Sequence, residues 1–182
     1  MRIVAGEWRG RNLVAPEGDV TRPTSDRTRE TLFSMLLSRL GSFEDLRVAD
    51  LFAGSGALGL EALSRGAASC LFVEQDAAAI RALRTNVSNL RAQDRCDVRA
   101  TSVMGMGAAR GEPYDLVLLD PPYGTGAGVV AIDKLTRLGW IAPSAWISVE
   151  TGNREGVAVK GYTVDTNRDV GKARLHLLRR DD

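Results

Sequence analysis

The chain predicts an α/β fold, with a mostly parallel sheet covered by helices on both faces and finished by an antiparallel pair. Two observations carry this. From residue 47 onward, short apolar runs alternate with stretches whose apolar residues recur at helical spacing, the pattern of strand–helix–strand units. The last two runs, 162–170 and 173–179, are joined by Gly171 and Lys172 alone, a link suited to a hairpin.

Taken in order, residues 1–15 alternate as two short strands about a turn at 6–10, a small β-hairpin extension covering 1–20. The main domain is expected over 21–182. Its first helix is predicted over 25–40, because Leu32, Phe33, Leu36, Leu37 and Leu40 fall on one face. Thr24 or Ser25 can cap its start and Gly41 can end it. Strands are predicted at 47–52, 69–74, 97–101, 114–119 and 145–150, and helices at 57–65, 77–90 and 129–138.

Composition narrows the function classes. With 182 residues, 44% hydrophobic and 26% charged, the chain is an ordinary single domain. A net charge of +1 gives no overall field toward nucleic acid, so any basic surface is local. The start M-R-I-V-A-G-E is too polar for a signal peptide, and no apolar run approaches the roughly 18 residues of a membrane span. A cytoplasmic protein is expected. Cys70 and Cys96 fall in strand-like runs and read as reduced, buried thiols. His176 is the only histidine, which leaves no basis for a His-dependent triad or a multi-His metal site. No metal is expected.

The chain is organised around V-A-D-L-F-A-G-S-G-A-L-G-L-E at 48–61. An apolar strand breaks on glycines into a helix, so backbone N–H groups face a cavity and a ligand can approach bare main chain. Gly54, Gly56 and Gly59 match G-x-G-x-x-G, and Glu74 ends the next strand where a ribose-binding acid belongs. A dinucleotide-dependent oxidoreductase would use the same features. It would not explain Asp120-Pro121-Pro122-Tyr123 at the tip of the fourth strand. That tetrapeptide presents rigid acceptors, the Asp120 carboxylate and the Pro121 carbonyl, beside an aromatic ring. A planar exocyclic amine offers two N–H donors and a π face, and matches it. Accepting both hydrogens fixes the amine and aims its lone pair at an electrophilic methyl, with alignment supplying much of the rate.

Two basic clusters remain. Arg2, Arg9 and Arg11 surround Trp8, which reads either as a phosphate-binding and base-stacking set or as a solvated hairpin pinned by the tryptophan. Arg22, Arg27 and Arg29 gather at the start of the first helix, where cations are disfavoured, which hints at an anion outside. Glu61 and Arg65, four apart on a helix, read as a surface pair. Trp140 and Trp146 read as core, and His176 as structural or exposed.

The motifs D-L-F-A-G-S-G-A-L-G-L-E-A-L-S-R-G at 50–66, V-E-Q-D at 73–76 and D-P-P-Y at 120–123 resemble class I S-adenosylmethionine-dependent methyltransferases. With R-I-V-A-G-E-W-R-G-R-N-L at 2–13 and R-P-T-S-D-R-T-R-E-T-L-F at 22–33, the chain resembles the bacterial RsmD-type 16S ribosomal RNA guanine-N2 methyltransferases over nearly its whole length. The resemblance implies a Rossmann-like, seven-stranded sheet of order 3-2-1-4-5-7-6. It implies S-adenosylmethionine contacts from Thr24, Asp50, Phe52, Ala53, Gly54, Ser55, Gly56, Glu74 and Gln75, with Ser102 and Val103 at the adenine edge. Many relatives carry Asp or Asn near 102, so this chain departs there. Asp120, Pro121, Pro122 and Tyr123 would hold a flipped guanine. Arg2, Arg9, Arg11, Arg22, Arg27 and Arg29 would bind the RNA backbone, with Trp8 stacking. The implied substrate is 16S rRNA in a partly assembled small subunit, whose shape can supply specificity to a small monomer. Adenine-N6 DNA methyltransferases share D-P-P-Y, and a non-catalytic RNA-binding assembly protein is a further alternative.

Overall fold

In the computed structural model, which describes residues 1–18 and 25–182, seven strands form one sheet of order β3-β2-β1-β4-β5-β7-β6. The chain runs α1 (Asp26–Leu40), β1 (Arg47–Leu51), α2 (Ala57–Ser64), β2 (Ser69–Glu74), α3 (Ala77–Asn89), β3 (Cys96–Ala100), β4 (Tyr114–Leu119), α4 (Ala127–Arg137), β5 (Ile141–Gly152), β6 (Tyr162–Val170) and β7 (Ala173–Arg180). Short 3-10 turns precede and follow β3. The first five strands pair in parallel, and β7 runs antiparallel to both β5 and β6.

The two faces of the sheet alternate along each strand. Val48, Leu116 and Leu118 join a core built from α1, α2 and α3, while Ala49, Val117 and Leu119 join a second core closed by α4. Burial on both faces is why β1, β2 and β4 read as unbroken apolar runs. α2 lies so close on β2 that a Cβ at Gly59 would fall 2.4 Å from Phe72 Cε1. Ser25 caps α1, accepting from the Thr28 N–H, and the Gly41 N–H closes its end on Leu37 O.

Helix and strand ends shift by small steps from the expected ones, α4 opening two residues early and β5 reaching back to Ile141. The N-terminal segment differs in kind. It is a hairpin-shaped loop with a single bridge, Arg2 to Asn12, rather than two strands. Beside its own cross-links, such as Ile3 N–H to Arg11 O and Leu13 N–H to Met1 O, it is tied to α2: Glu61 accepts from the Val4 and Ala5 N–H groups, and Ser64 Oγ accepts from Trp8 N–H and donates to Ala5 O. Ile3, Trp8 and Leu13 enter the same core as α1 and α2.

Glu61 and Arg65 are therefore not a surface pair. Glu61 is fully buried, and it also pairs with Arg65 Nε at 3.0 Å and with the buried Arg29 at 3.2 Å. Arg65 packs over Phe33, 4.9 Å from its ring centre. Trp140 and Trp146 are core residues. His176 is interior, with Nε2 2.9 Å from Thr151 Oγ1, and burial lowers its pKa. Cys70 and Cys96 are free thiols, and burial pushes Cys96 up to about 12.

Candidate functional site

The sheet order reverses direction between β1 and β4, and open α/β sheets bind ligands at the carboxyl ends of strands beside such a switch. Leu51 and Leu119 are register partners, so the segments after β1 and β4 leave the sheet side by side. The Asp120 N–H approaches Leu51 O at 3.5 Å. The glycine turn and the D-P-P-Y loop thus become neighbours through strand pairing, although 66 positions separate Gly54 from Asp120 in the sequence.

The turn after β1 is conformationally demanding. Phe52 takes φ 60°, a region uncommon for a bulky residue, followed by Gly54 at φ 57° and Gly56 at φ 85°. Gly56 begins α2 in the left-handed region, and a Cβ there would fall 2.4 Å from Leu83 Cδ1. At Gly54 a Cβ would meet nothing among the described residues within 4 Å, so its absence leaves bare main chain facing the cleft. The Gly54 N–H donates to Glu74 Oε1 at 2.8 Å. Glu74 Oε2 accepts from the Gln75 and Asp76 N–H groups, each at 2.9 Å. Three backbone donors thereby fix a carboxylate whose oxygens retain capacity for further donors.

Asp50 lies beneath the turn with no exposed surface. Its Oδ2 accepts the Gly59 N–H at 2.9 Å, while Oδ1 has no hydrogen-bond partner among the described residues. Burial pushes its pKa well up; the Gly59 N–H opposes this, and the charges of Asp120 and Glu74 add to the rise. The charges of Asp120 and Glu74 thus bear on Asp50 around the same hollow, and a cation placed there would offset the rise at Asp50.

These groups line a cleft of about 690 Å³. Asp50, Phe52, Ala53, Gly54, Ser55, Glu74, Gln75, Asp120, Pro121, Pro122 and Tyr123 all face it. Tyr123 is half-buried, with its hydroxyl donating to Glu150 Oε2 at 2.8 Å. Gly56 shapes the turn without lining the cleft. Ser102 and Val103 do not line it either: Ser102 Oγ caps the turn after β3, accepting from the Gly105 N–H, and Val103 is buried in the second core. Thr24 and Arg22 lie outside the described residues.

Of the basic set, Arg2, Arg9, Arg11 and Arg27 are exposed. Arg29 is not available to RNA: it is fully buried, paired with Asp26 and Glu61, and donates to Arg2 O at 2.8 Å. Trp8 is not a stacking platform either. Its ring is buried, and the Arg95 guanidinium covers it 5.3 Å from the ring centre. The tryptophan pins the hairpin to the domain.

Several contributors went unseen in the sequence. Met1, Pro16, Glu17 and Gly18 form an outer wall of the cleft. Asp76 lines it while capping α3, which an acidic residue between strand and helix could have signalled. Glu150, which holds Tyr123, gave no sequence signal.

The family described as Conserved hypothetical protein 95 matches residues 1–179. The Escherichia coli protein named Ribosomal RNA small subunit methyltransferase D is 37% identical over all of this chain and 90% of its own length. The Haemophilus influenzae protein of the same name is 39% identical over 83% of this chain and 78% of its own. Among solved structures, yhhF from Escherichia coli superposes with a TM-score of 0.86 at 38% identity, covering 100% of this chain and 98% of the other.

Proposed function

Since the chain belongs to the Conserved hypothetical protein 95 family and aligns over its full length with a relative named Ribosomal RNA small subunit methyltransferase D, we propose that it transfers a methyl from S-adenosylmethionine to the exocyclic N2 of a guanine in 16S rRNA. One observation carries the reading: the glycine turn, the buried Asp50 and the Asp120–Tyr123 loop face one cleft.

The residues present suit the cofactor. The orphaned Asp50 Oδ1, and the rise that the nearby Asp120 and Glu74 charges add at Asp50, favour a ligand bearing positive charge. Glu74 would accept the ribose hydroxyls, Gln75 would flank the adenine, and the open space over Gly54 would admit the methionine part against bare backbone. S-adenosylmethionine supplies an electrophilic methyl on a sulfonium.

The remaining chemistry belongs to the protein. The Asp120 carboxylate and the Pro121 carbonyl accept the two N2 hydrogens, and Tyr123 stacks on the base. Holding both hydrogens draws nitrogen toward tetrahedral geometry, so the lone pair points into the cleft. Methyl transfer to N2 would leave neutral S-adenosylhomocysteine as the leaving group, and Asp120 would accept the proton that the nitrogen sheds. Positioning, rather than a strong base, supplies most of the acceleration. Arg2, Arg9, Arg11 and Arg27 contact phosphates, and the substrate is rRNA in a partly assembled small subunit, met by a monomer in the cytoplasm.

The test is direct. Small subunits from cells lacking the gene are incubated with the protein and labelled S-adenosylmethionine, and the modified base is located. Label on guanine N2 of 16S rRNA is expected. Label on adenine of duplex DNA, or binding to rRNA without transfer, would overturn the reading.

A further inference from the structure

A second cleft of about 310 Å³ lies on the far side of the D-P-P-Y loop. Pro121 and Pro122 line both clefts, so the loop is the wall between them. Tyr123 belongs to the first and Glu150 to the second, and the 2.8 Å hydrogen bond from the Tyr123 hydroxyl to Glu150 Oε2 crosses that wall. Glu150 is 3% exposed and lies within β5, register-paired with Leu175 of β7, so its carboxylate is carried by the sheet and not by a loop. The ring it holds has weaker covalent restraint. Beyond Tyr123 the chain passes Gly124 at φ 74° and Gly126 at φ 68°, residues that leave the backbone many conformations.

Packing points the same way. A Cβ at Gly152, at the end of β5, would lie 3.5 Å from Tyr123 Cδ2, so the ring rests against the tip of that strand. Glu155 Oε2 accepts the Gly152 N–H at 2.9 Å and steadies the same tip.

We propose that Glu150 is a positioning residue, which acts through the Tyr123 hydroxyl to fix the ring against which the acceptor base is aligned. This rests on the methyltransferase reading and deepens it. Glu150 itself contacts neither cofactor nor reacting atoms; it transmits the rigidity of β5 to the flexible side of the loop. Losing a charge-assisted hydrogen bond of this kind should lower kcat by roughly ten- to a hundredfold.

The test is a double-mutant cycle on Tyr123→Phe and Glu150→Ala, with Glu150→Gln as the conservative variant. Single-turnover rates on small subunits and affinity for S-adenosylhomocysteine are measured for each. Both single variants should lose kcat to a similar extent, and the double variant should lose no more than either. Affinity for S-adenosylhomocysteine should stay within about twofold, which a variant that merely unfolds would not show. Glu150→Gln, whose amide oxygen still accepts, should recover most of the rate. Multiplicative losses in the double variant, unchanged rates in either single variant, or a glutamine variant as slow as the alanine one would overturn the inference. Absence of transfer by the unaltered protein would instead overturn the parent reading, so the two failures are separable.

Discussion

Replacing Glu61 by alanine would remove a carboxylate that serves four donors at once: the Val4 and Ala5 N–H groups at 2.9 and 3.1 Å, Arg29 Nη1 at 3.2 Å and Arg65 Nε at 3.0 Å. Two of those donors are guanidinium groups, and Arg29 has no exposed surface. Among the described residues its Nε already lacks a partner, so it has little capacity to recover what it loses. Breaking a buried pair by removing one partner costs about 3–5 kcal/mol, because the other charge stays buried. The Val4 and Ala5 donors would add to this, but both residues are partly exposed and water can reach them. A net loss of about 4 kcal/mol is the central expectation, and at about 3 °C per kcal/mol for a chain of this size Tm should fall by about 12 °C. The measurement is thermal unfolding by circular dichroism at neutral pH, in low and high salt. The drop should be nearly the same in both, since buried charges are poorly screened. Limited proteolysis should also show the first 18 residues released, because two of the anchors are theirs. A fall of less than about 3 °C would refute the claim that this network holds the N-terminal segment.

Three further outcomes are expected. Asp120→Ala should abolish methyl transfer while leaving S-adenosylhomocysteine affinity, measured by calorimetry, largely intact; unchanged transfer would remove Asp120 from its assigned role. Burial raises the Asp50 pKa, so its protonated form is the one folding favours, and its contribution is greatest below the unfolded value of about 3.9 and is lost as pH rises through the folded value. Asp50→Asn should therefore gain in Tm relative to the unaltered protein as pH rises from about 4 to neutral, a trend read from paired melting curves. Arg27→Glu should weaken association with rRNA and flatten its salt dependence in filter binding, while a substitution at Arg29 should act through stability instead.

How far the sequence could be read depended on whether a residue's partner was local. β2 and β4 are apolar runs bounded by Glu74 and Asp120, and their ends agree with the expected ones to the residue. Their meaning needs only the period of burial and the position of the first polar group. Arg29 shows the opposite case. A cation near a helix start has two solutions, an anion in solution or a carboxylate inside, and sequence does not distinguish them. The answer came from Glu61, brought against it by packing of α1 on α2. Trp8 was similarly undecided until Arg95 was placed over its ring. Ser102 followed the expected spacing, yet its hydroxyl is spent on a local turn. Glu150 is one acidic residue in a strand, and nothing in its neighbours announces a tyrosine hydroxyl from another loop.

One helix links the cleft to the N-terminal segment. The first turn of α2 closes the glycine loop, where the Gly59 N–H meets Asp50, and Glu61 and Ser64 on the same helix hold the N-terminal segment. That segment returns to the cleft through Met1 and Pro16–Gly18. The floor and the outer wall of the cleft are thus both tied to this eight-residue helix, and Asn86 of α3 ties them a second time, donating to Ser55 O at 2.9 Å and to Val14 O at 3.0 Å. A shift of α2 against β2 would move both together, and the near-contact at Gly59 leaves little room for one. The acceptor loop is fastened separately, through Tyr123 to β5. Two independent anchorages, on opposite sides of the β1–β4 switch, fix where the cofactor-facing and base-facing walls meet. Transfer rate should therefore respond to either anchorage, whereas cofactor affinity should respond only to the one on α2.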